Sequence, residues 1–305
     1  MTPNPTAREI AATMIRPGEF LRVTVGSEVH GVTVGSDDHD EMGVMISPPA
    51  SLLGLDHFEQ YQWRTQPKGV RSGAGDTDLV VYSLRKWMSL AVKGNPSILV
   101  PLYVPEEHVR HCTDLGRELR EELVRLIVSE KVRQPYLGYL RQQKERLLGV
   151  RGGKHTNRPE LIEQYGFDTK YAYHMVRLGY QGSQLLLTGR IPMPVPEPMR
   201  TYLLELRRGE RSMDWAVEMA EHFEEQIARV PSVLPASPDI DQINRWMVHA
   251  HLGTWGPSRE IAAAMPPGPD ACPDCGGEGV IDGLVTGDRI SDEPCHHPCH
   301  ERKRA

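Results

Sequence analysis

Gly26-Ser27-Glu28-Val29-His30-Gly31, followed by Asp37-Asp38-His39-Asp40-Glu41-Met42-Gly43-Val44, is the stretch that decides how this chain is read. Phe20, Leu21, Val23 and Val25 form an apolar run that reads as a strand ending in the Gly-Ser turn. The Asp-x-Asp pair then leads into a second apolar run. Carboxylates one residue apart on an extended strand point to opposite faces. At a strand's start or on a bulge, both can turn toward one divalent cation. Mg²⁺ takes hard oxygen ligands, usually one or two carboxylates together with substrate phosphates. A Gly-Ser turn just before the pair offers backbone N–H groups that can hold a triphosphate. The combined pattern predicts a phosphoryl-transfer site, with Asp38 and Asp40 as metal ligands and Gly26 and Ser27 binding the β- and γ-phosphates. The aspartates alone would indicate only a solvated acidic turn.

Further along, residues 20–25, 43–47, 57–64 and 78–82 are strand candidates separated by Gly-, Pro- and Ser-containing turns. Two-metal phosphoryl transfer needs a further carboxylate for the metal that activates the attacking hydroxyl. Asp78, opening the run Leu79-Val80-Val81-Tyr82, is the choice for it, with Asp76 as the alternative. Leu84 to Val92 reads as a helix stopped by Gly94-Asn95-Pro96. From about 106 to 252 the pattern is helical, with amphipathic segments at 115–128, 131–149, 168–187, 198–208 and 212–229. Within 168–187, Lys170, His174 and Arg177 are spaced i, i+4, i+7 and stack along one face. Such a row suits a triphosphate or its leaving pyrophosphate.

Strands first and helices afterwards predict an α+β protein. Its expected parts are a small mixed β-sheet catalytic core with helices at 1–105, a helical domain at 106–252 that completes the nucleotide site, and a linker at 253–269. A small zinc-binding tail is expected at 270–305. There, Cys272-Pro-Asp-Cys275 and Cys295-His-His-Pro-Cys299 have the spacing of a structural Zn²⁺ site. His296, His297 or His300 can replace one cysteine, and so small a module depends on its metal to fold. The run from Cys272 to Gly279 resembles the Cys-x-x-Cys-x-Gly-x-Gly unit of chaperone-type zinc domains, from which the second pair departs.

The composition, with 25% charged and 39% hydrophobic residues over 305 positions, is that of an ordinary soluble protein. No apolar run is long enough to span a bilayer, and Met1-Thr2-Pro3-Asn4-Pro5 lacks the features of a signal peptide. A cytoplasmic location with no membrane partner is therefore expected. A net charge of −6 argues against nonspecific coating of nucleic acid. Residues 131–158, with Lys131, Arg133, Arg141, Lys144, Arg146, Arg151, Lys154, His155 and Arg158 against only Glu145, offer one candidate for a local polyphosphate or polynucleotide channel, and fit a solvated helix face as well.

Gly26-Ser27 with Asp38-x-Asp40 resembles the signature of the nucleotidyltransferase superfamily that includes DNA polymerase beta. Gly-Ser-x-x-His-Gly and Asp-x-Asp-x-x-Gly-Val resemble, more narrowly, the predicted nucleotidyltransferases found beside RNA ligases and in bacteriophages. That group commonly has Ser-Asp-x-Asp; counting back from Gly43-Val44 puts Asp37 at the Ser position. The stretch from Asp78 through Tyr82-Ser83-Leu84-Arg85-Lys86 to Gly94-Asn95-Pro96, and Thr169-Lys170-x-x-x-His174-x-x-Arg177-Leu178, resemble the same group. The resemblance implies Mg²⁺- or Mn²⁺-dependent transfer of an NMP from an NTP to an acceptor hydroxyl, with release of pyrophosphate. Asp38, Asp40 and Asp78 would be catalytic, and Gly26, Ser27, His30, Lys170, His174 and Arg177 would bind the nucleotide. The acceptor (an RNA end, a small molecule or a protein side chain) stays open. Two other readings stand beside this one. The first is a noncatalytic nucleic-acid-binding or adaptor protein with a relic nucleotide site and a zinc module. The second is a metal-dependent phosphohydrolase using the same aspartates.

Overall fold

A computed structural model describes residues 15–35, 38–55, 57–66, 73, 75–150 and 158–256. Asp37, the basic residues Arg151, Lys154 and His155, and the whole cysteine-rich tail with Cys272, Cys275, Cys295 and Cys299 lie outside the described residues. The chain forms two compact units, one of Met1–Ile46 with Glu59–Met247, the other of Ser47–Phe58 with Val248–Ala305.

The first unit is a mixed α+β structure. Its sheet comprises β1 (Glu19–Val25), β2 (His39–Met45), β3 (Gln60–Arg64), β4 (Thr77–Ser83) and β5 (Val109–Cys112), in the order β3-β4-β2-β1-β5. β1 runs antiparallel to β2 and β5, β3 antiparallel to β4, and β2 parallel to β4. Four strands fall close to where the alternating apolar runs put them. The second begins earlier than expected, at His39 rather than 43, because its first residues pair on both sides: Asp40 with Val25 and with Asp78. The fifth falls in a stretch that reads as helical. Val-Arg-His-Cys carries little apolar pattern, and β5 forms because the edge of β1 offers it a backbone ladder. Leu21, Val23 and Val44 are fully buried in the sheet, as are Met45 and Val81.

Six helices of eight or more residues occur among the described residues: α1 (Leu84–Ala91), α2 (Arg133–Leu147), α3 (Thr169–Thr188), α4 (Met199–Arg207), α5 (Met213–Arg229) and α6 (Ile240–Trp255). The segment expected as one helix over 115–128 is divided by a π-helical turn at Leu119–Leu123. Among the described residues no helix is long and apolar enough to cross a membrane.

α3 is the centre of the helical part and packs on α2, α4 and α5. It starts at Asp168, whose carboxylate accepts from the N–H groups of Lys170 (3.0 Å) and Tyr171 (3.1 Å), an N-cap. Two glycines let its neighbours come close. A Cβ on Gly179 would lie 2.6 Å from Phe223 Cβ of α5, and one on Gly182 would lie 2.6 Å from the Tyr136 ring of α2. Tyr136, Ile227, Leu185 and Leu186 are consequently buried around this seam.

In the second unit, the described part is a short helix at Pro49–Leu53 and the end of α6 from Val248. Trp255 Nε1 donates to the Ser47 carbonyl at 2.9 Å, and the His251 ring meets the Trp255 ring edge-on at 5.3 Å.

The seam makes a specific demand on volume. Gly182→Leu is expected to destabilise the first unit by about 1–3 kcal/mol through overpacking, lowering the melting temperature by about 2–4 °C per kcal/mol. Chemical denaturation of the variant beside the wild type checks this. An unchanged midpoint would mean that the helices do not meet at that glycine.

Candidate active site

The parallel register of β2 and β4 sets Asp40 directly beside Asp78. Asp38 sits two residues earlier, just ahead of the strand, where the backbone is free to turn its carboxylate back. Each of the three offers an oxygen within 4.8 Å of the other two. All three are half-buried. This answers the geometric objection to Asp-x-Asp, since only one of the pair is in regular strand. Asp76, the alternative third carboxylate, is not in the cluster. It accepts from Thr65 Oγ1 (2.8 Å) and Gly73 N (2.9 Å), and its carbonyl accepts from His39 N (2.8 Å).

Gathering the acids has an electrostatic cost. Burial pushes the Asp40 carboxyl up to about 6, and the neighbouring Asp38 and Asp78 charges push the same way, while Lys170 and His39 oppose them. Asp78 is held in a fork by Arg64, with Nε 2.9 Å and Nη2 3.2 Å from its two oxygens, and by Gln66 Nε2 at 3.0 Å. Arg64 faces Asp78 in the β3–β4 ladder. Nothing in the local sequence marks it, because the pairing depends on a strand partner fourteen residues away. Three converging carboxylates are hard oxygen donors, and they fit Mg²⁺ or Mn²⁺ better than a softer metal.

Gly26 ends β1 in the left-handed region, at φ 78°. A side chain there would run into the Asp40 carboxylate, so the backbone of the Gly-Ser turn passes directly over the acid cluster. The loop beyond is closed by Val32 N to Ser27 O (3.1 Å) and Gly31 N to Glu28 O (3.0 Å). It is clamped by Arg207 of α4, which donates to the Val32 carbonyl, and by Val195 N, 3.0 Å from the His30 carbonyl.

His30 is buried, at 2% exposure. Its Nε2 lies 2.9 Å from Arg177 Nη1, and its Nδ1 lies 3.2 Å from Gln181 Nε2. An arginine only donates, so Nε2 must carry the lone pair. Burial, then the Arg177 charge, then His174 hold His30 well below its ordinary pKa, and it is neutral. Lys170, His174 and Arg177 lie along one side of α3, as their spacing requires. Burial and then the charges of Arg177, Lys170, Arg158 and Arg207 keep His174 neutral as well. Lys170 acts on Asp40, which brings this row up to the carboxylates.

Arg158 and Arg207 are members of the cluster that spacing could not reveal. Arg158 pairs with the buried Asp168 at 3.2 Å, and Arg207 lies over the Tyr173 ring at 5.3 Å. Several residues of the 131–158 basic stretch are engaged by other parts of the chain, Arg141 and Lys144 at the surface. Arg133 donates to the carbonyls of Ile227 and Val230, Arg141 pairs with Glu224, and Lys144 pairs with Glu221. Beside the triad, His39 bridges Glu28 (2.9 Å) and Glu41 (3.0 Å). Burial opposes its charge, yet these two carboxylates together hold its pKa above the ordinary value.

Asp40 gives a testable sign. Its folded pKa of about 6 exceeds the ordinary 3.8, so the folded state holds the extra proton between those values. The residue subtracts from stability progressively as pH rises through that window, and fully above it. Metal-free Asp40→Asn is therefore expected to melt above the wild type at neutral pH, with the gap closing toward about pH 4. Adding Mn²⁺ should raise the wild-type melting temperature more than the variant's. Differential scanning calorimetry with and without chelator checks both; a variant less stable than wild type at neutral pH would contradict a net cost of holding the Asp40 charge there by burial and repulsion.

Comparison with known proteins gives three similarities. The profile of the RNA repair pathway DNA polymerase beta family matches residues 19–249. An uncharacterized 38.9 kDa protein in the nrdC–mobD intergenic region of Enterobacteria phage T4 is 25% identical over 131 residues, or 42% of this chain. The match covers 38% of that relative's length. Among solved structures, a nucleotidyltransferase-like protein from Exiguobacterium sibiricum 255-15 is 13% identical with a TM-score of 0.30, covering 72% of this chain and 71% of that one. The family match takes in all five strands, the aspartate triad, the Gly-Ser turn and the Lys170 row, and the chain belongs to the RNA repair pathway DNA polymerase beta family.

Proposed function

We propose that this protein is a metal-dependent nucleotidyltransferase that moves an NMP from an NTP to an acceptor hydroxyl, releasing pyrophosphate. The observation that carries the reading is the convergence of Asp38, Asp40 and Asp78 within 4.8 Å, under a Gly-Ser turn and beside Lys170. The description of the family as an RNA repair pathway family supports an RNA end as the acceptor.

Asp38, Asp40 and Asp78 would hold Mg²⁺ or Mn²⁺. When bound, such a cation neutralises phosphate charge and makes the acceptor hydroxyl easier to deprotonate. The residues of this chain do the rest by position and charge. Gly26 and Ser27 present backbone to the β- and γ-phosphates, and only glycine leaves room at 26. Lys170 and Arg177 meet the charge that builds on the departing pyrophosphate. Neutral His174 lies among these cations without adding to their mutual repulsion. His30 acts through Arg177: its lone pair takes one guanidinium N–H and fixes the fork's direction. Arg64 does the same for Asp78 from the other side.

Incubating the full chain with each α-³²P NTP, Mg²⁺ or Mn²⁺ and an RNA acceptor tests the reading. Label should enter the acceptor, and Asp40→Ala or Asp78→Ala should lower the rate at least about a hundredfold. Gly26→Ala should behave like the aspartate variants, because its methyl displaces Asp40. Lys170→Ala should lower kcat/KM for the NTP by about a hundredfold or more. Near-wild-type transfer by Asp40→Ala would overturn the assignment. Free NMP formed without acceptor would move the reading to a phosphohydrolase. Tight nucleotide binding without turnover under any condition would favour the adaptor reading.

A further inference from the structure

We propose that the open face of the β3–β4 pair, together with the cleft where it ends, is the track for a single-stranded polynucleotide whose terminal hydroxyl is the acceptor. This rests on the nucleotidyl-transfer reading above and deepens it.

The face of the sheet that carries Asp40 is covered over β1 and β2: Leu21, Val23 and Val44 are 0% exposed there. Over β4 and β3 the same face comes out into the open. Alternation puts Asp78, Val80 and Tyr82 on it, all half-buried, and their ladder partners Arg64, Gln62 and Gln60 are exposed. Directly opposed residues share a face. The result is a ledge that starts at the aspartate triad and reaches Tyr82 about 13 Å further on, at the ordinary rise of a strand.

A cleft of about 720 Å³ is lined by Leu90, Lys93 and Asn95 and by Gly138, Tyr139 and Gln142 of α2, and its Tyr139 is near enough to Tyr82 to act on that phenol's charge. Asn95 Nδ2 donates to the Tyr139 hydroxyl at 3.0 Å and fixes the ring. Tyr82 is its neighbour. Burial raises the Tyr82 phenol's pKa and the Tyr139 phenol adds to that, with Lys86 opposing. A Cβ on Gly138 would meet nothing within 4 Å, so the helix leaves the cleft floor empty at that point.

The lining fits one class of occupant. Two tyrosine rings offer faces on which any base can stack. The amides of Gln60, Gln62 and Gln142 suit sugar hydroxyls and exposed base edges. Positive charge is sparse, because Lys86 is paired with Glu59 and Arg141 with Glu224, leaving Lys93 as the cleft-wall cation outside those pairs among the described residues. A duplex held by its phosphates would need a basic groove; a strand held by stacking does not. An acceptor of one small molecule would fill only the space at Asp78 and would not reach Tyr139.

Fluorescence anisotropy with a labelled single-stranded RNA tests the track on the full chain, in the wild type and in the transfer-dead Asp38→Ala/Asp40→Ala protein. Binding should persist in the double variant and depend weakly on salt. Tyr139→Ala should weaken it about fivefold or more, the size of one lost base stack, and Tyr139→Phe should recover most of that. Gly138→Glu, whose side chain fills the cleft, should weaken it further, with an unfolding transition like that of the wild type. A blunt RNA duplex of equal length should bind less tightly. If Tyr139→Ala and Gly138→Glu bind as the wild type does, the track is wrong even where nucleotidyl transfer is confirmed, and a small-molecule or protein acceptor takes its place. If those variants lose binding while no transfer is found, the strand site stands and the transfer reading falls.

Discussion

Everything at the candidate site depends on the parallel ladder between β2 and β4. Asp40 and Asp78 belong to segments almost forty residues apart, and the register that pairs them also pairs Val44 with Tyr82 and Met45 with Ser83. A slip of one residue would turn Asp78 to the other face. It would also drive the buried Val81 and Ser83 out of their places. Burial of the strand interiors therefore fixes the acids, and it does so against their own repulsion. Asp40 is pushed up to about 6 by burial first and then by the Asp38 and Asp78 charges, the direction expected of a site assembled without a compensating cation. Natural sites carry such local conflict where function needs it.

The helix α3 joins stability to chemistry. Its middle carries Gly179 and Gly182, which let α2 and α5 pack against its backbone. Its first two turns carry Lys170 and His174, and Arg177 follows where the buried seam begins. Because one rigid rod serves both ends, the packing of the far turns determines where the cations of the near turns fall. The cap repeats this arrangement. Asp168 satisfies two N–H groups at the start of α3 and also binds Arg158, so the residue that begins the helix also holds one of the charges around His174.

Around this frame the polar residues form pairs that hold other residues in position. Arg64 orients Asp78, His30 orients Arg177, and Asn95 orients Tyr139. In each pair one member faces the site or the cleft and the other lies on a different element. The sheet face follows the same logic of division. It is buried over β1 and β2, where it supplies core. It is more open over β4 and β3, where it carries half-buried Asp78, Val80 and Tyr82 and exposed Arg64, Gln62 and Gln60.

The sequence by itself determined the elements and their chemistry. Alternating apolar runs marked four of the five strands, and apolar residues at helical spacing marked α1 to α5. The Gly-Ser turn, the Asp-x-Asp pair and the family they resemble were legible because each is a contiguous pattern whose physics is local. Lys170, His174 and Arg177 were legible as a row because a helix imposes that spacing. Only the tertiary structure decided what lies across from what. It set Asp78 rather than Asp76 beside Asp38 and Asp40, turned His30 inward onto Arg177, and brought Arg64 to Asp78 and Arg158 and Arg207 to the surroundings of His174. It also engaged several residues of the basic 131–158 stretch with other parts of the chain. These outcomes depend on strand register and helix packing between segments far apart in the chain. No local pattern carries that information, because register and packing are set by burying apolar surface over the whole unit at once.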